Sequence, residues 1–192
     1  MKDKLYAFAF RGLLTKEALD NTAALGKFNA NTALDNNLIE RLSLDLLDED
    51  LVARASRMAT VYTSIATLEN TVRYFVSFRL LEEVGENWWN DSVSEKVRKK
   101  AETRQEEESK IRWHTPRGDK PLNYTDFSEL ASIITQNWEK FEPHLNSLEW
   151  VKQILKTLER SRNVIMHSGE LANEDIERVG SCIRDWVKQV GT

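Results

Sequence analysis

A continuous helical pattern between Ala53 and Glu83 constrains the fold more than any other feature of the chain. Apolar residues recur there at steps of three and four, uninterrupted by glycine or proline: Met58, Val61, Tyr62, Ile65, Leu68, Val72, Phe75, Val76 and Leu80. The whole chain has only seven glycines and three prolines, which favours helices over sheets. Alternating strand patterns are absent from the sequence, so we predict an all-α fold.

Composition narrows the class of protein further. A chain of 192 residues with 41% hydrophobic and 30% charged residues is typical of one globular, soluble domain with a single core. The net charge of −4 argues against coating nucleic acid by bulk electrostatics, although a local basic groove remains compatible with it. Cys182 is the single cysteine and fits a reducing compartment. No apolar run approaches the ~18 residues of a membrane span, and we expect a cytoplasmic protein without membrane association.

Residues 1–51 are predicted to form an N-terminal helical extension ahead of a helical bundle at residues 52–192. Thr15 can cap a first helix over Ala18, Leu19, Thr22 and Ala23. A loop at 26–32 separates it from a second helix that begins near Asp35 and carries Leu38, Ile39, Leu42 and Leu46.

An acidic run follows the second helix and permits two interpretations. Its side chains resemble a metal-ligand cluster: Asp45, Asp48, Glu49 and Asp50. The same residues are equally typical of a helix end followed by the N-terminus of the next helix, where acidic groups are favoured. We prefer this second interpretation and predict no metal site.

The middle of the chain predicts an inserted loop and helix. After Gly85 a turn is expected at 87–89, and Ser92 with Glu95 has capping-box spacing for a helix that reaches Arg112. Trp113 to Tyr124 is then a long irregular stretch, and loops of this length are often functional. Thr125 is expected to cap a helix that ends before Pro143, with aromatic core residues on one face and His144 in the following turn: Phe127, Leu130, Ile134, Trp138 and Phe141.

The polar helix before this loop has a basic face with two interpretations. Its cations, together with Trp113, His114 and Arg117, could bind a nucleic-acid backbone and stack on bases: Lys96, Arg98, Lys99, Lys100, Arg104, Lys110, Arg112 and, in the loop, Lys120. Alternatively, it is a solvated helix whose opposite charges pair at i,i+4. The second interpretation is simpler, because several glutamates on the same helix would repel phosphates.

The segment from Arg160 to Glu170 departs from the packing rule of its own helix. A helix at about 147–167 carries an apolar stripe of Leu148, Val151, Ile154, Leu155 and Leu158. One further turn of that stripe reaches Arg162, whose guanidinium needs a carboxylate, a carbonyl, a phosphate or water when it is buried. His167 follows at the end of the helix, where Ser168 and Gly169 are a plausible stop.

A buried partner for this arginine can be proposed from the long first pattern. Glu69 falls on the inward side of that helix, so its carboxylate requires a cation. Arg73, one turn later, is the local candidate and Arg162 the long-range one.

The last helix has a simpler pattern. Asn173 is expected to cap it, with Glu174 and Asp175 in its first turn. Its apolar stripe is Ile176, Val179, Ile183, Trp186, Val187 and Val190. Cys182 borders this stripe and is interpreted as a packing residue rather than a nucleophile.

The sequence R-N-V-I-M-H from Arg162 to His167 resembles the R-x4-H motif of the HEPN superfamily of all-helical domains. The order of elements agrees, with a long helix upstream, the motif, a short turn and a final amphipathic helix. Residues 52–190 look like the branch joined in some proteins to a PIN-type endonuclease, chiefly through the segment 113–141. This resemblance implies an antiparallel helical bundle.

The chemistry of these side chains suits cleavage of RNA. Histidine can move a proton to or from a ribose hydroxyl, and arginine can stabilise charge on phosphate oxygens. Together they can support attack of a 2′-hydroxyl on its own phosphate without a metal or cofactor, which leaves a 2′,3′-cyclic phosphate. Asn163 could orient the histidine or contact the phosphate, and Arg160 is a further candidate for RNA binding.

Resemblance to HEPN ribonucleases implies that Arg162 and His167 are catalytic and that two copies join their motifs in one cleft. Five residues of a helix turn by about 500°, which leaves the two side chains about 140° apart and one copy with half a site. A toxin or phage-defence role, restrained by an antitoxin, would fit such an enzyme. The alternative is a noncatalytic interaction or nucleotide-binding module, in which Arg162 and His167 only serve the helix C-terminus.

Overall fold

The structure is a computed structural model, and it describes residues 36–190. This part of the chain contains no strand and eight α-helices: α1 Asn36–Arg41, α2 Glu49–Val84, α3 Trp88–Ser92, α4 Glu95–Ser109, α5 Phe127–Gln136, α6 Trp138–Leu145, α7 Leu148–Met166 and α8 Asn173–Val190. Two short 3-10 segments, Leu44–Leu46 and Pro121–Tyr124, lie between helices. The predicted all-α fold is confirmed.

The chain divides between Ala53 and Arg54 into two compact units. In the first unit, α1 ends at Arg41, so the prediction of one helix reaching Leu46 was wrong. The physical reason is Ser43, whose φ of 53° is left-handed and cannot continue a helix. The predicted helix after Thr15 and the loop at 26–32 lie outside the described residues, and the domain boundary at residue 51 stays a prediction.

The acidic run serves the start of α2. The Oδ1 atom of Asp48 accepts a hydrogen bond from the N–H of Leu51 at 3.0 Å, and Glu49 and Asp50 occupy the first turn. This cap begins the helix four residues before the predicted Ala53, because side-chain oxygens satisfy N–H groups that a helix start leaves open. The interpretation as a helix N-terminus is confirmed.

The core of the second unit lies between the inner face of α2 and helices α5 to α8. Its largest completely buried side chains include Ile65, Leu80, Phe127, Phe141, Leu155, Leu158 and Trp186. The Trp186 ring lies parallel to Trp150 at 6.0 Å and meets Phe75 edge-on at 6.0 Å. The predicted stripe of α8 is confirmed apart from Val187, which is 57% exposed because it follows the inward-facing Trp186 by one residue.

The region between α2 and α4 differs from the prediction at its boundaries. A short helix, α3, forms where a turn was expected, and α4 begins after Ser94 rather than Ser92. The predicted capping box of Ser92 and Glu95 was wrong, because Ser92 is the last residue of α3 and the N-cap of α4 is Ser94, whose hydroxyl makes no capping hydrogen bond. The helix ends at Ser109 and buries only Val97 and Ala101.

The predicted helix from Thr125 to Pro143 is two helices. Asp126, not Thr125, caps α5: its Oδ1 accepts from the Glu129 N–H at 2.9 Å, and Glu129 accepts from the Asp126 N–H at 3.0 Å. The helix breaks at Asn137, whose side-chain amide donates to the carbonyls of Ser92 and Ile133. Pro143 then lies inside α6, and its last turn contains His144, which is therefore not in a turn.

The helix α7 follows the prediction closely, whereas α8 begins at Asn173 itself, so the prediction of Asn173 as its cap was wrong; the Asn173 side chain accepts a hydrogen bond from Arg57 instead. Ser147 accepts a hydrogen bond from the Trp150 N–H at the start of α7, and His167 is its C-terminal cap. The Gly169 N–H donates to the Val164 carbonyl at 2.8 Å, and a Cβ at residue 169 would lie 2.9 Å from that oxygen. The reversal after α7 therefore requires glycine.

None of the described helices is long and apolar enough to cross a membrane.

Candidate functional site

The buried carboxylate of Glu69 on α2 joins the motif helix α7 to the long helix. Arg162 Nη1 lies 3.1 Å from Glu69 Oε1 and 3.3 Å from Oε2, and only 8% of the Glu69 side chain is exposed. Arg73 Nη2 also donates to Glu69 Oε1, at 2.5 Å. The two candidate partners proposed for Glu69 therefore both bind it, and the charge of one carboxylate is shared by two guanidinium groups.

Arg73 extends this junction to the start of α5. Its Nη2 atom also donates to the Thr125 carbonyl at 2.7 Å, and its Nη1 atom donates to Asn70 at 2.9 Å. The side chain is 18% exposed. Arg73 thus anchors the linker in front of α5 to the long helix while it also binds Glu69.

Arg162 retains an exposed edge while its head group is held in place. Its Nη2 atom lies 3.4 Å from Asn163 Oδ1, and its Cζ atom lies 5.7 Å from the centroid of the Phe127 ring. The side chain is 22% exposed. A guanidinium fixed by a buried carboxylate and an aromatic face, yet open on one side, can bind an anion without first losing side-chain freedom.

His167 lies apart from this cluster. Its backbone N–H donates to the carbonyl of Asn163 at 3.1 Å, and its imidazole is exposed. No side-chain hydrogen bond, ion pair or ring contact joins the imidazole to Arg162 or Asn163 within residues 36–190. The exposed apolar side chains of Val164 and Met166 lie beside it in sequence, at 40% and 62% exposure.

Glu159 is a half-buried carboxyl one turn before Arg162 on α7. Burial raises its pKa, and the negative charge of Asp126 raises it further, while Arg162 acts in the opposite direction. Glu69 and Glu129 add to the upward shift. Reasoning from the sequence missed this residue, although its i,i+3 spacing to Arg162 could have suggested it.

A second buried glutamate, Glu129, is held between α4 and α5. Arg104 binds it with both Nη atoms, at 2.6 and 3.1 Å, and also donates to the Tyr124 carbonyl. Lys100 Nζ lies 3.3 Å from Glu129 Oε1, and Arg104 Nη2 lies 3.4 Å from Asp126. The hydrogen bond to Glu129 raises the pKa of Arg104, against the opposing effect of burial. The sequence predicted Arg104 as one of the solvated cations, and this was wrong.

Three of the five cations of α4 have a carboxylate partner among the described residues. Lys99 pairs with Glu95 at 2.7 Å across one turn, whereas Arg104 and Lys100 pair with Glu129 of α5. The predicted i,i+4 pairing is therefore present at Lys99, and the other two cations bind a different helix.

The four weaker candidates do not join the motif cluster. Trp113 is 86% exposed and meets the His114 ring edge-on at 5.7 Å, and His114 Nδ1 lies 2.9 Å from the Thr115 carbonyl. Arg117 is paired with Glu108 at 2.6 Å, and Arg160 is exposed on α7. In the described part of the chain, no hydrogen bond, ion pair or ring contact connects any of them to Arg162 or His167.

Cys182 packs against the core and has the properties of a structural thiol. Burial raises its pKa, and the neighbouring Asp185 raises it further. Thiols of this kind are poor nucleophiles near neutral pH.

Within residues 36–190, no group of three or more His, Cys, Asp and Glu side chains could hold a metal ion.

Comparison with known proteins agrees with the helical order and the motif. Residues 64–191, from the middle of α2 to the end of α8, match the family model described as Swt1-like HEPN. Searches of curated proteins and of solved structures gave no match. A match over most of the chain that includes α7 and its R-x4-H motif shows that this protein belongs to the Swt1-like HEPN family.

Proposed function

We propose that the protein is a metal-independent endoribonuclease in which Arg162, Asn163 and His167 form the reactive surface. The observation that supports it most is the state of Arg162: its guanidinium is fixed by the buried Glu69, and its side chain remains 22% exposed. A HEPN domain is compatible with RNase-like activity at the level of the family. The resemblance to HEPN domains joined to PIN-type endonucleases stays a prediction.

The proposed reaction uses each side chain for one task. Arg162 binds the non-bridging phosphate oxygens and stabilises the charge that grows on them as the 2′-oxygen attacks phosphorus. His167 transfers a proton at the ribose or at the leaving oxygen. Asn163, which already contacts Arg162, orients the phosphate. The products are a 2′,3′-cyclic phosphate and a 5′-hydroxyl.

A homodimer with a composite site is part of this proposal. In an ideal helix, five residues turn by about 500°, so the side chains at positions 162 and 167 are expected to leave it about 140° apart. A second copy that covers the exposed Val164 and Met166 would bring its own motif to the same cleft. Arg160, Trp113, His114 and Arg117 remain candidates for contacts with RNA beyond the reacting phosphate, and restraint of a toxin or phage-defence activity by an antitoxin remains a proposal.

The decisive experiment is cleavage of a mixed RNA by the purified protein in excess EDTA, beside His167→Ala and Arg162→Ala. Cleavage by the wild type alone, with cyclic-phosphate ends, would support both residues and the metal-free reaction. An inert wild type, or equal cleavage by all three proteins, would contradict the proposal. The alternative would then be a noncatalytic HEPN module, which the engagement of both Arg162 Nη atoms by Glu69 and Asn163 also permits.

A further inference from the structure

We infer that Glu159 is a proton-transfer residue of this site, the base that accepts the proton of the attacking 2′-hydroxyl. The inference rests on the proposed RNA cleavage. That reaction needs one group to take a proton and another to donate one, and each chain has one histidine in its motif. A carboxyl group beside the phosphate-binding arginine can supply the second function.

Glu159, Asn163 and His167 lie along one side of α7. They are spaced at i, i+4 and i+8, so each follows its neighbour on the same ridge of the helix. Eight residues rise by about 12 Å, and Arg162 lies between the two ends. In the composite site of the proposed dimer, Glu159 beside Arg162 of one copy and His167 of the partner subunit can approach the attacking and leaving oxygens of one phosphodiester from opposite sides.

The carboxyl of Glu159 is also free to react. No hydrogen bond and no ion pair within 4 Å holds it among residues 36–190, in contrast to Glu69 and Glu129, which bind two cations each. It is half-buried, which limits competition from bulk water. It is therefore the one carboxyl near Arg162, in this part of the chain, that the fold does not already use for a structural contact.

The surrounding charges favour a strong base. Asp126 and Glu129 at the start of α5, and Glu69 on α2, are negative, and Arg162 on α7 is the positive group that faces Glu159. Burial and these negative charges raise the pKa of Glu159, which makes its carboxylate a better proton acceptor than an ordinary one. An RNA phosphate on Arg162 would add a further negative charge and act in the same direction.

The proton and electron balance of the step is simple. Glu159 takes the proton of the 2′-hydroxyl as the bond from the 2′-oxygen to phosphorus forms. The bond from phosphorus to the 5′-oxygen breaks, and the protonated imidazole of His167 gives its proton to that oxygen. His167 is the C-terminal cap of α7. Water then returns both groups to their starting protonation, and nothing is oxidised or reduced.

The test is the pH profile of kcat/KM for RNA cleavage by the full chain, for wild type and Glu159→Gln. Because the carboxylate must be deprotonated, wild-type activity should rise with pH along an acidic limb. Glu159→Gln should lose about 10²–10⁴-fold in activity and lose that limb. The control is Glu149→Gln on the first turn of the same helix, where the side chain is 84% exposed and bound only to Lys152; it should match the wild type.

Binding separates a chemical role from a structural one. Affinity for an RNA in which 2′-deoxyribose blocks cleavage should be equal or tighter in Glu159→Gln, because one negative charge is removed. An active wild type with an unchanged profile in Glu159→Gln, or a loss explained by weakened binding, would overturn this inference and leave the proposed function standing. A wild type that does not cleave RNA would overturn both.

Discussion

Glu69 and Glu129 are two buried carboxylates that have similar partners and lie in different surroundings. Each binds two cations, Glu69 on α2 with Arg162 and Arg73, and Glu129 on α5 with Arg104 and Lys100. In both junctions one arginine also donates to a backbone carbonyl of the same short linker, Arg73 to Thr125 and Arg104 to Tyr124. The linker in front of α5 is therefore held from two sides.

The two junctions differ in the segment that supplies their arginine, since the exposed fractions of the Arg104 and Arg162 side chains are similar, at 27% and 22%. The Glu129 carboxylate, which binds Arg104, also completes the capping box of α5 with Asp126. Around Glu69, the second arginine belongs to the R-x4-H motif and keeps an exposed edge beside Asn163 and Glu159. A buried ion pair thus caps a helix at one place, and at the other it fixes the arginine that we propose as the phosphate-binding group.

The largest expected effect is on folding, when the junction around Glu129 is removed. Glu129→Ala leaves Arg104 and Lys100 without a buried partner and breaks the capping box, so the free energy of unfolding should fall by about 3–5 kcal/mol. Urea denaturation followed by circular dichroism measures this, with Glu107→Ala on the exposed side of α4 as the control. A loss of less than about 0.5 kcal/mol would contradict a structural role for this junction.

The next largest effect should distinguish the junction around Glu69 from the junction around Glu129. Glu69→Gln keeps the shape but removes the charge that holds Arg162 and Arg73, and should cost about 1–3 kcal/mol in unfolding free energy. Because Arg162 loses its fixed position, RNA cleavage per folded molecule should also fall, and it should fall by more than in folded Glu129→Ala, which leaves the contact between Arg162 and Glu69 in place. Unchanged cleavage by Glu69→Gln would contradict the proposal that Glu69 positions Arg162 for RNA cleavage.

A smaller effect concerns pH at the start of α5. Burial acts to raise the pKa of Asp126, but the hydrogen bonds from Ser128 and the Glu129 N–H and the charges of Arg104 and Lys100 outweigh it, and the pKa is lowered. The resulting stability is present above the ordinary carboxyl pKa of about 3.9 and is lost as pH falls through the lower folded-state value.

The variant that tests this is Asp126→Asn, which keeps a capping side chain without the charge. The stability advantage of the wild type over Asp126→Asn, measured by urea denaturation, should be constant from pH 7 to pH 5 and should shrink below pH 4. An advantage that does not change across this range would show that the charge of Asp126 contributes nothing.

The smallest effect is expected for an exposed pair that resembles the buried ones only in chemistry. Lys152 and Glu149 lie 3.1 Å apart on α7 with 41% and 84% of their side chains exposed. Lys152→Ala should change the free energy of unfolding by no more than about 0.5 kcal/mol. A larger loss would contradict the view that the ion pairs of Glu69 and Glu129 contribute more to stability than exposed pairs because they are buried.

Local pattern predicted the helices with long apolar stripes and missed boundaries that long-range contacts decide. The α7 helix, with Ser147 at its start and His167 at its end, follows from spacing and capping residues alone. The break at Asn137 does not, because it depends on an amide that bonds to Ser92, 45 residues earlier. The same holds for Arg104, whose partner lies 25 residues later on another helix.

The sequence by itself determined that the chain is helical, where its longest helices lie, and that Arg162 occupies a position its stripe reserves for an apolar residue. These properties depend on the periodicity of neighbouring side chains, which a linear pattern contains. Only the tertiary structure decided that Glu69 is shared by two arginines, that Arg104 binds Glu129 of another helix, and that Glu159 has no hydrogen bond or ion pair within 4 Å among residues 36–190. Such facts depend on which helix faces are brought together, because a buried charge is stable only where another element supplies its counter-charge.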